Sequence, residues 1–314
     1  MHERFIEGVS NQGLAVDSII VTMGSEQHEH VFTNRSENNI RSISKTISCL
    51  AVYQAIETGL YDLDTCVYDY VDASKIHNKT NIDKLKNMKI RHLLNLTIGQ
   101  AEGLMFSKDI KKLPEDTDLL YYILNYDIVY EPGKHFVYNN AATYLLCYIT
   151  QKVTEMYFGE WVNKVLFKPM NIPPCKWEST NQGICLGASG LWMKNEDLHK
   201  IALLLLNDGI YEGNRIISEE WIKKMHTPHF YTADLPEYKA KQNRCINKMS
   251  YGYGLWICGD GSQKHPKTHY FCDGTDGQLL IVSPNDKMAI TILSHQSNMN
   301  PLYELLRIYL KEIF

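Results

Sequence analysis

The sequence predicts an α+β fold, an antiparallel β-sheet flanked by helices with a mostly helical domain inserted into it. Three observations predict it. A β-branched run near the N-terminus, Ser18-Ile19-Ile20-Val21-Thr22, reads as a strand. The middle of the chain carries apolar residues at helical spacing. The last third changes to strand-like runs separated by turns and closes on an amphipathic segment. A sheet built from both chain ends, with a helical domain between them, accommodates all three. The expected division is residues 1–64 with 186–314 for the sheet domain and 65–185 for the inserted helical domain.

The elements follow in order. A strand is expected over 14–23, before Gly24, and a short second one over 30–33 after a polar turn. Ser42 opens a long helix in which Ile43, Ile47, Leu50, Ala51 and Ile56 recur at helical spacing, with Gly59 as its stop. Further helices are expected over 90–96, 117–124, 141–156 and 159–165, until Pro169, Pro173 and Pro174 break the pattern. Two more cover 195–208, stopped by Gly209, and 218–225. Strands are expected over 251–258, 269–274, 278–283 and 287–293, the last two joined by the turn Pro284-Asn285-Asp286. A helix over 302–313 carries Leu305, Leu306, Tyr309 and Leu310 on one stripe.

Composition narrows the function classes. With 314 residues, 44% hydrophobic and 22% charged, the chain is ordinary globular protein. A formal charge of −4 and a pI near 6.3 give no electrostatic reason to bind nucleic acid or an anionic membrane. The longest strongly apolar run, 201–206, is far short of the roughly 20 residues a membrane helix needs. The start MHERFIEGVSNQG lacks a hydrophobic signal core, so a cytoplasmic protein is expected. None of the eight cysteines pairs as C-x-x-C, and they read as mostly free, buried thiols. His28-Glu29-His30 puts two histidines on one face of a strand edge, with no third metal ligand apparent. Oligomeric state is left open.

Three short motifs carry chemistry. Arg41-Ser42-Ile43-Ser44-Lys45 contains Ser-x-x-Lys at a helix start, so Ser42 and Lys45 share a face. A serine hydroxyl needs a base to take its proton, and a lysine one turn away can do so if burial lowers its pKa. Alone the motif is weak: it arises about once by chance in a chain this long, and Ser42 as a cap with Lys45 in solvent is then the favoured reading. Tyr138-Asn139-Asn140 follows the turn Glu131-Pro132-Gly133. A phenol beside an ammonium is pushed toward phenolate and can shuttle the serine proton, and the Asn140 amide can hold a lysine or a substrate carbonyl. A buried aromatic plus a helix cap accounts for these residues as well. The third motif is Phe271-Cys272-Asp273-Gly274-Thr275-Asp276-Gly277-Gln278, a strand ending in a glycine that marks close backbone approach. The Thr275 N–H, paired with that of Ser42, would form an oxyanion hole.

In this order the motifs resemble the serine β-lactamase-related family, which includes class C β-lactamases, DD-peptidases, related esterases and nylon-oligomer-type amide hydrolases. The stretches that carry the resemblance are RSISKTISCLAVYQAIETG, IRHLLNLTIG, EPGKHFVYNNAATYLLCYITQKVT, LFKPMNI, GASGLWMKNEDLHKIALLLLNDG, YGYGLWIC and CDGTDGQLLIVSP. They run from about residue 15 to 295. The resemblance implies a β-lactamase/transpeptidase-like fold, Ser42 as nucleophile, Lys45 and Tyr138 as the proton-handling pair, and Asn140 as polar support. Cys272, Gly274 and Thr275 fall at substrate-binding positions.

One position departs from the family pattern. Many members place Lys or His two residues before the glycine of the third motif, and here that residue is Cys272. The nearby Lys267-Thr268-His269 mimics Lys-Thr-Gly but lacks the glycine. A cation at that position helps recognise the carboxylate of penicillins and D-Ala-D-Ala peptides, which a neutral thiol cannot do. The expectation is a serine hydrolase that cleaves a small ester, amide or short peptide through an acyl-enzyme, without metal or organic cofactor. The alternatives are a β-lactamase or D-alanyl-D-alanine carboxypeptidase, and a non-catalytic sensor of the same fold. Cys272 is a minor rival nucleophile. Tyr251, Tyr253 and Trp256 are pocket-lining or core residues, and Ser189 is a site wall or a tight-turn residue.

Overall fold

The computed structural model describes residues 2–34, 37–239, 247–259 and 268–310. From the N-terminus the chain forms helix α1 (His2–Asn11) and strands β1 (Val16–Met23), β2 (Glu26–Val31) and β3 (Asn38–Asn39). A 3-10 turn, Arg41–Ile43, then leads into α2 (Ser44–Glu57). Next come α3 (Ile82–Asn87), α4 (Ile90–Leu94), α5 (Ser107–Ile110), α6 (Leu119–Asn125), α7 (Ala141–Thr154) and α8 (Phe158–Val162). Strand β4 (Trp192–Met193), α9 (Asn195–Leu206), the small hairpin β5 (Ile210–Tyr211) and β6 (Asn214–Arg215), and α10 (Glu219–His226) follow. The chain continues through β7 (Phe230–Tyr231), α11 (Pro236–Lys239), β8 (Ser250–Tyr251), β9 (Trp256–Cys258) and β10 (His269–Gly274). Strands β11 (Gln278–Ser283) and β12 (Met288–Ser294) precede the last helix, α12 (Asn300–Leu310).

Two compact units result, residues 1–47 with 191–314 and residues 48–190. The boundaries therefore fall at 47/48 and 190/191, against the 64/65 and 185/186 expected from sequence. The first lies inside α2, which is buried from Ser44 to Tyr53. A helix covered on all sides has no polar stripe to show where one unit ends. Residues 48–64 bind into the second unit: the Trp161 indole donates to Ala51 O at 3.0 Å, and Tyr61 Oη lies 2.7 Å from Thr150 Oγ1.

The first unit is an eight-stranded antiparallel sheet in the order β2-β1-β12-β11-β10-β9-β8-β7. Both chain ends supply strands, as the periodicity predicts. Every residue of β11 and β12 is buried, which explains their continuous apolar runs. Helix α9 packs on β1, β11 and β12. Its His199 ring bridges two strands, with Nε2 2.8 Å from Thr22 Oγ1 and Nδ1 3.0 Å from Thr291 Oγ1. Helix α1, which the sequence reading does not include, buries Phe5 and Val9 and packs on α12.

Two strands differ from expectation. β2 starts at Glu26 and is largely exposed, so it shows no apolar alternation; its pairing with β1 (His28 opposite Val21, His30 opposite Ile19) makes it an edge strand. The run expected as one strand over 251–258 is a hairpin, with Tyr251 opposite Trp256. It turns at Gly254, whose φ of +73° suits glycine. Tyr251, Tyr253 and Trp256 are buried, and the Tyr251 and Trp256 rings meet edge-on at 4.9 Å. The segment 311–313 of the expected last helix lies outside the described residues.

The second unit is helical. α7 is its central element, buried without interruption from Ala141 to Cys147, and it packs against α4 and α8. It stops at Glu155, which takes a left-handed φ of +54°. Among the described residues no helix is long and apolar enough to cross a membrane, and no cluster of His, Cys, Asp and Glu could hold a metal ion.

Candidate active site

Ser42 sits in the 3-10 turn ahead of α2, and Lys45 lies on the first turn of the helix. The two meet: Lys45 Nζ donates to Ser42 Oγ at 3.2 Å. The Lys45 side chain is among the largest fully buried ones, with the residue 1% exposed. That removes the reading of Lys45 as a solvated side chain. The neighbouring hydroxyl, Ser44 Oγ, is used differently and donates to Arg41 O at 2.6 Å.

The turn is held from both sides. Arg41 has a φ of +53°, a left-handed conformation that costs a non-glycine residue about 1 kcal/mol or more. Its N–H donates to Asn39 Oδ1 at 2.9 Å, and Asn39 pairs with Trp192 in the β3–β4 ladder. Gly274 ends β10 directly against this turn. A Cβ on Gly274 would lie 2.7 Å from Ile40 O and 2.8 Å from Arg41 Cβ, so only glycine lets the strand come this close. The sequence places a close backbone approach at Gly274, and the structure shows that the approaching backbone is the protein's own turn. Thr275, next in the chain, is exposed.

Tyr138 and Asn140 belong to the second unit. Tyr138 is half-buried and Asn140 is buried at the start of α7. The Asn140 amide donates to Met105 O at 2.9 Å, and its N–H donates to Leu104 O at 3.0 Å. The helix cap is the neighbour's work: Asn139 Oδ1 accepts from Ala142 N at 2.9 Å. Asn140 lines a small cavity with Met105, Ser107, Ile110, Leu186, Ala188 and Ser189. Ser189 is thus a wall residue of that cavity, and its carbonyl also accepts from the Trp177 indole at 2.9 Å.

The beta-lactamase family model matches residues 32–313. The chain belongs to the beta-lactamase family. Membership places it among serine hydrolases. Solved structures repeat the fold at low identity. A Bacillus anthracis protein assigned as a 6-aminohexanoate-dimer hydrolase aligns at a TM-score of 0.77 and 17% identity, over 98% of this chain and 80% of that one. A penicillin binding protein from Bacillus halodurans aligns at 0.74 and 19%, over 99% and 100% of the two chains. A D-stereospecific amidohydrolase from Streptomyces sp. aligns at 0.70 and 15%, over 97% and 98%. At these identities the likeness carries the fold, which is β-lactamase/transpeptidase-like.

Within this beta-lactamase family chain, Cys272 is 4% exposed. Its Sγ lies 2.8 Å from Thr46 Oγ1, and the same hydroxyl donates to Gly254 O at 2.6 Å. Burial pushes the thiol up to about 12, with the Thr46 hydrogen bond acting against the shift. Such a thiol stays protonated at neutral pH, which argues against Cys272 as nucleophile. The next residue, Asp273, points to the opposite face of β10. It binds Lys248 Nζ at 2.8 Å and accepts from Tyr303 Oη at 3.1 Å. Lys248 is therefore engaged on the other face and does not stand in for a cation beside Cys272. Lys267 of the Lys-Thr-His segment lies outside the described residues, and His269 opens β10 opposite Cys258. Seven cysteines are described, and all are free thiols.

Sequence reasoning missed three residues here. Thr46 is the partner of Cys272, Asn139 is the cap of α7, and Asp276 binds the Arg41 guanidinium. Only Asn139 carried a local signal, as an Asn just ahead of a helix.

Proposed function

We propose that the protein hydrolyses a small ester, amide or short peptide through an acyl-enzyme on Ser42. The observation that carries this reading is the 3.2 Å hydrogen bond between the buried Lys45 amine and the Ser42 hydroxyl. Ser42 Oγ attacks the substrate carbonyl carbon, and its proton passes to the Lys45/Tyr138 pair. The Ser42 and Thr275 N–H groups receive the negative oxygen. Collapse of the tetrahedral intermediate breaks the bond to the leaving group, which takes the proton. Water, deprotonated by Tyr138, then attacks the acyl-enzyme and releases the acid. Asn140 supports the substrate carbonyl. The close packing of Gly274 on the Ile40–Arg41 turn supports the paired-donor part of the scheme, because it brings the strand end just before Thr275 to the turn carrying Ser42.

Cys272 supports a preference within this class. A buried, neutral thiol offers nothing to a substrate carboxylate. Losing one charge-assisted hydrogen bond costs about 1.5–3 kcal/mol, or roughly one to two decades in rate. Esters and amides without that carboxylate are the favoured substrates.

The test is a short p-nitrophenyl ester followed by stopped flow and intact mass. The native protein is expected to give a burst and an acyl adduct on Ser42. Ser42→Ala is expected to abolish both, and Tyr138→Phe to slow acylation about a hundredfold or more. Full turnover by Ser42→Ala would refute the scheme.

A further inference from the structure

Arg41 and Asp276 form an ion pair whose place in the chain is unusual. Arg41 immediately precedes Ser42, and Asp276 immediately follows Thr275. Both are non-glycine residues in the left-handed region, at φ +53° and +68°. Nε and Nη2 of Arg41 both donate to Asp276 Oδ2, at 3.0 and 2.7 Å. Each backbone is also tied by a hydrogen bond to its carbonyl. Arg41 O accepts from the Ser44 hydroxyl, and Asp276 O accepts from Gln296 N at 2.8 Å. Between the two residues, Gly274 presses the end of β10 onto the Ile40–Arg41 turn.

We infer that the Arg41–Asp276 pair is a positioning clamp for the oxyanion hole. The inference rests on the hydrolase reading above, since the two N–H groups it aligns are those of Ser42 and Thr275. The physical argument is one of leverage. The Ser42 N–H lies in the peptide that follows left-handed Arg41, so the Arg41 backbone angle aims it directly. The Thr275 N–H lies in the Gly274–Thr275 peptide, and left-handed Asp276, next in the chain, anchors the short segment that carries it. The side chains of these same two residues are bonded to each other across a sequence gap of 235 positions. Displacement of either segment relative to the other would therefore stretch the pair. Each side chain is 37% exposed, and exposed ion pairs add little to global stability. The pair's consequence is thus local: it fixes the angle between two donors that must both point at one oxygen. Donors of this kind are effective only when preorganised, and small misplacements are costly in rate. Arg41 and Asp276 act through Ser42 and Thr275, so they are positioning residues and not catalytic ones.

Asp276→Asn is the informative variant. It removes the charge but keeps a side chain that tolerates the left-handed region. Asp276→Gly is the second variant, which suits the same backbone angle with no side chain at all. Each is measured with a p-nitrophenyl ester and with phenylboronic acid, a probe that forms a tetrahedral adduct on a serine oxygen. The expected result is a kcat at least tenfold lower, KM changed less than threefold, and phenylboronic acid inhibition weakened by a factor similar to the loss in kcat. Arg41→Gln is expected to do the same, and the double variant Arg41→Gln/Asp276→Asn to be no more than threefold worse than the worse single one. A kcat within twofold of the native value in both Asp276 variants overturns the inference. So does a kcat loss with unchanged boronic acid affinity, or a failure of both Asp276 variants to fold, which would make the pair a structural support. A native protein that gives no burst and takes no fluorophosphonate at Ser42 removes the hydrolase reading itself, a result distinct from any variant's behaviour.

Discussion

At Cys272, burial and one hydroxyl decide what a reactive atom can do. Burial, at 4% exposure, holds the thiol protonated, although its contact with the Thr46 hydroxyl acts the other way. Iodoacetamide at pH 8 is therefore expected to leave Cys272 unmodified in the folded protein and to label it fully in urea, as read by peptide mass mapping. Rapid labelling in the native state would contradict the burial argument. Residues show unequal legibility. Ser42 and Lys45 could be paired from sequence because they are three apart and helix geometry is local. Arg41 and Asp276 could not, because no local rule links residues 235 positions apart. Asn140 was legible as a polar residue at a helix start, but its neighbour Asn139 is the side chain that caps the helix.

Among the elements, α9 shows how a buried polar residue couples packing to pH. Burial holds the His199 imidazole down to about 4, below its ordinary 6.5, while the hydroxyls of Thr22 and Thr291 satisfy both ring nitrogens of the neutral form. Unfolding lets the ring take up a proton more readily. The stability this residue contributes is therefore complete above about pH 6.5 and is lost as pH falls toward about 4, by about 3 kcal/mol at most. His199→Gln, which keeps a donor and an acceptor but does not titrate, should shrink the difference between urea midpoints at pH 7 and pH 4.5. An unchanged acid sensitivity in that variant would place the effect elsewhere. The strand pattern was legible for β10 and β11, which fall where the apolar runs and turns put them. It failed for β2 and for the β8–β9 hairpin. An exposed edge strand has no apolar face to read, and a tight hairpin of buried aromatics reads as one continuous strand.

For the molecule as a whole, the fold and the proposed substrate preference have different origins. The family fold persists at 15–19% identity in the aligned structures, so it depends on pattern and packing more than on particular residues. The proposed preference hangs on one position, Cys272. With Cys272 in place of a cation, nitrocefin is expected to be hydrolysed at least tenfold less efficiently, in kcat/KM, than a short p-nitrophenyl ester. Efficient nitrocefin turnover would reverse that ranking and favour a penicillin-recognising enzyme.

By itself the amino-acid sequence determined the α+β class, most of the helices and strands, and the local Ser42–Lys45 pairing. All of these depend on periodicity or on neighbours within a turn of helix. Tertiary structure alone decided that Lys45 is buried, that Cys272 is bound to Thr46, that Gly274 meets the Ile40–Arg41 turn, and that Arg41 reaches Asp276. These depend on which distant segments meet, and burial, protonation and donor direction are properties of that meeting.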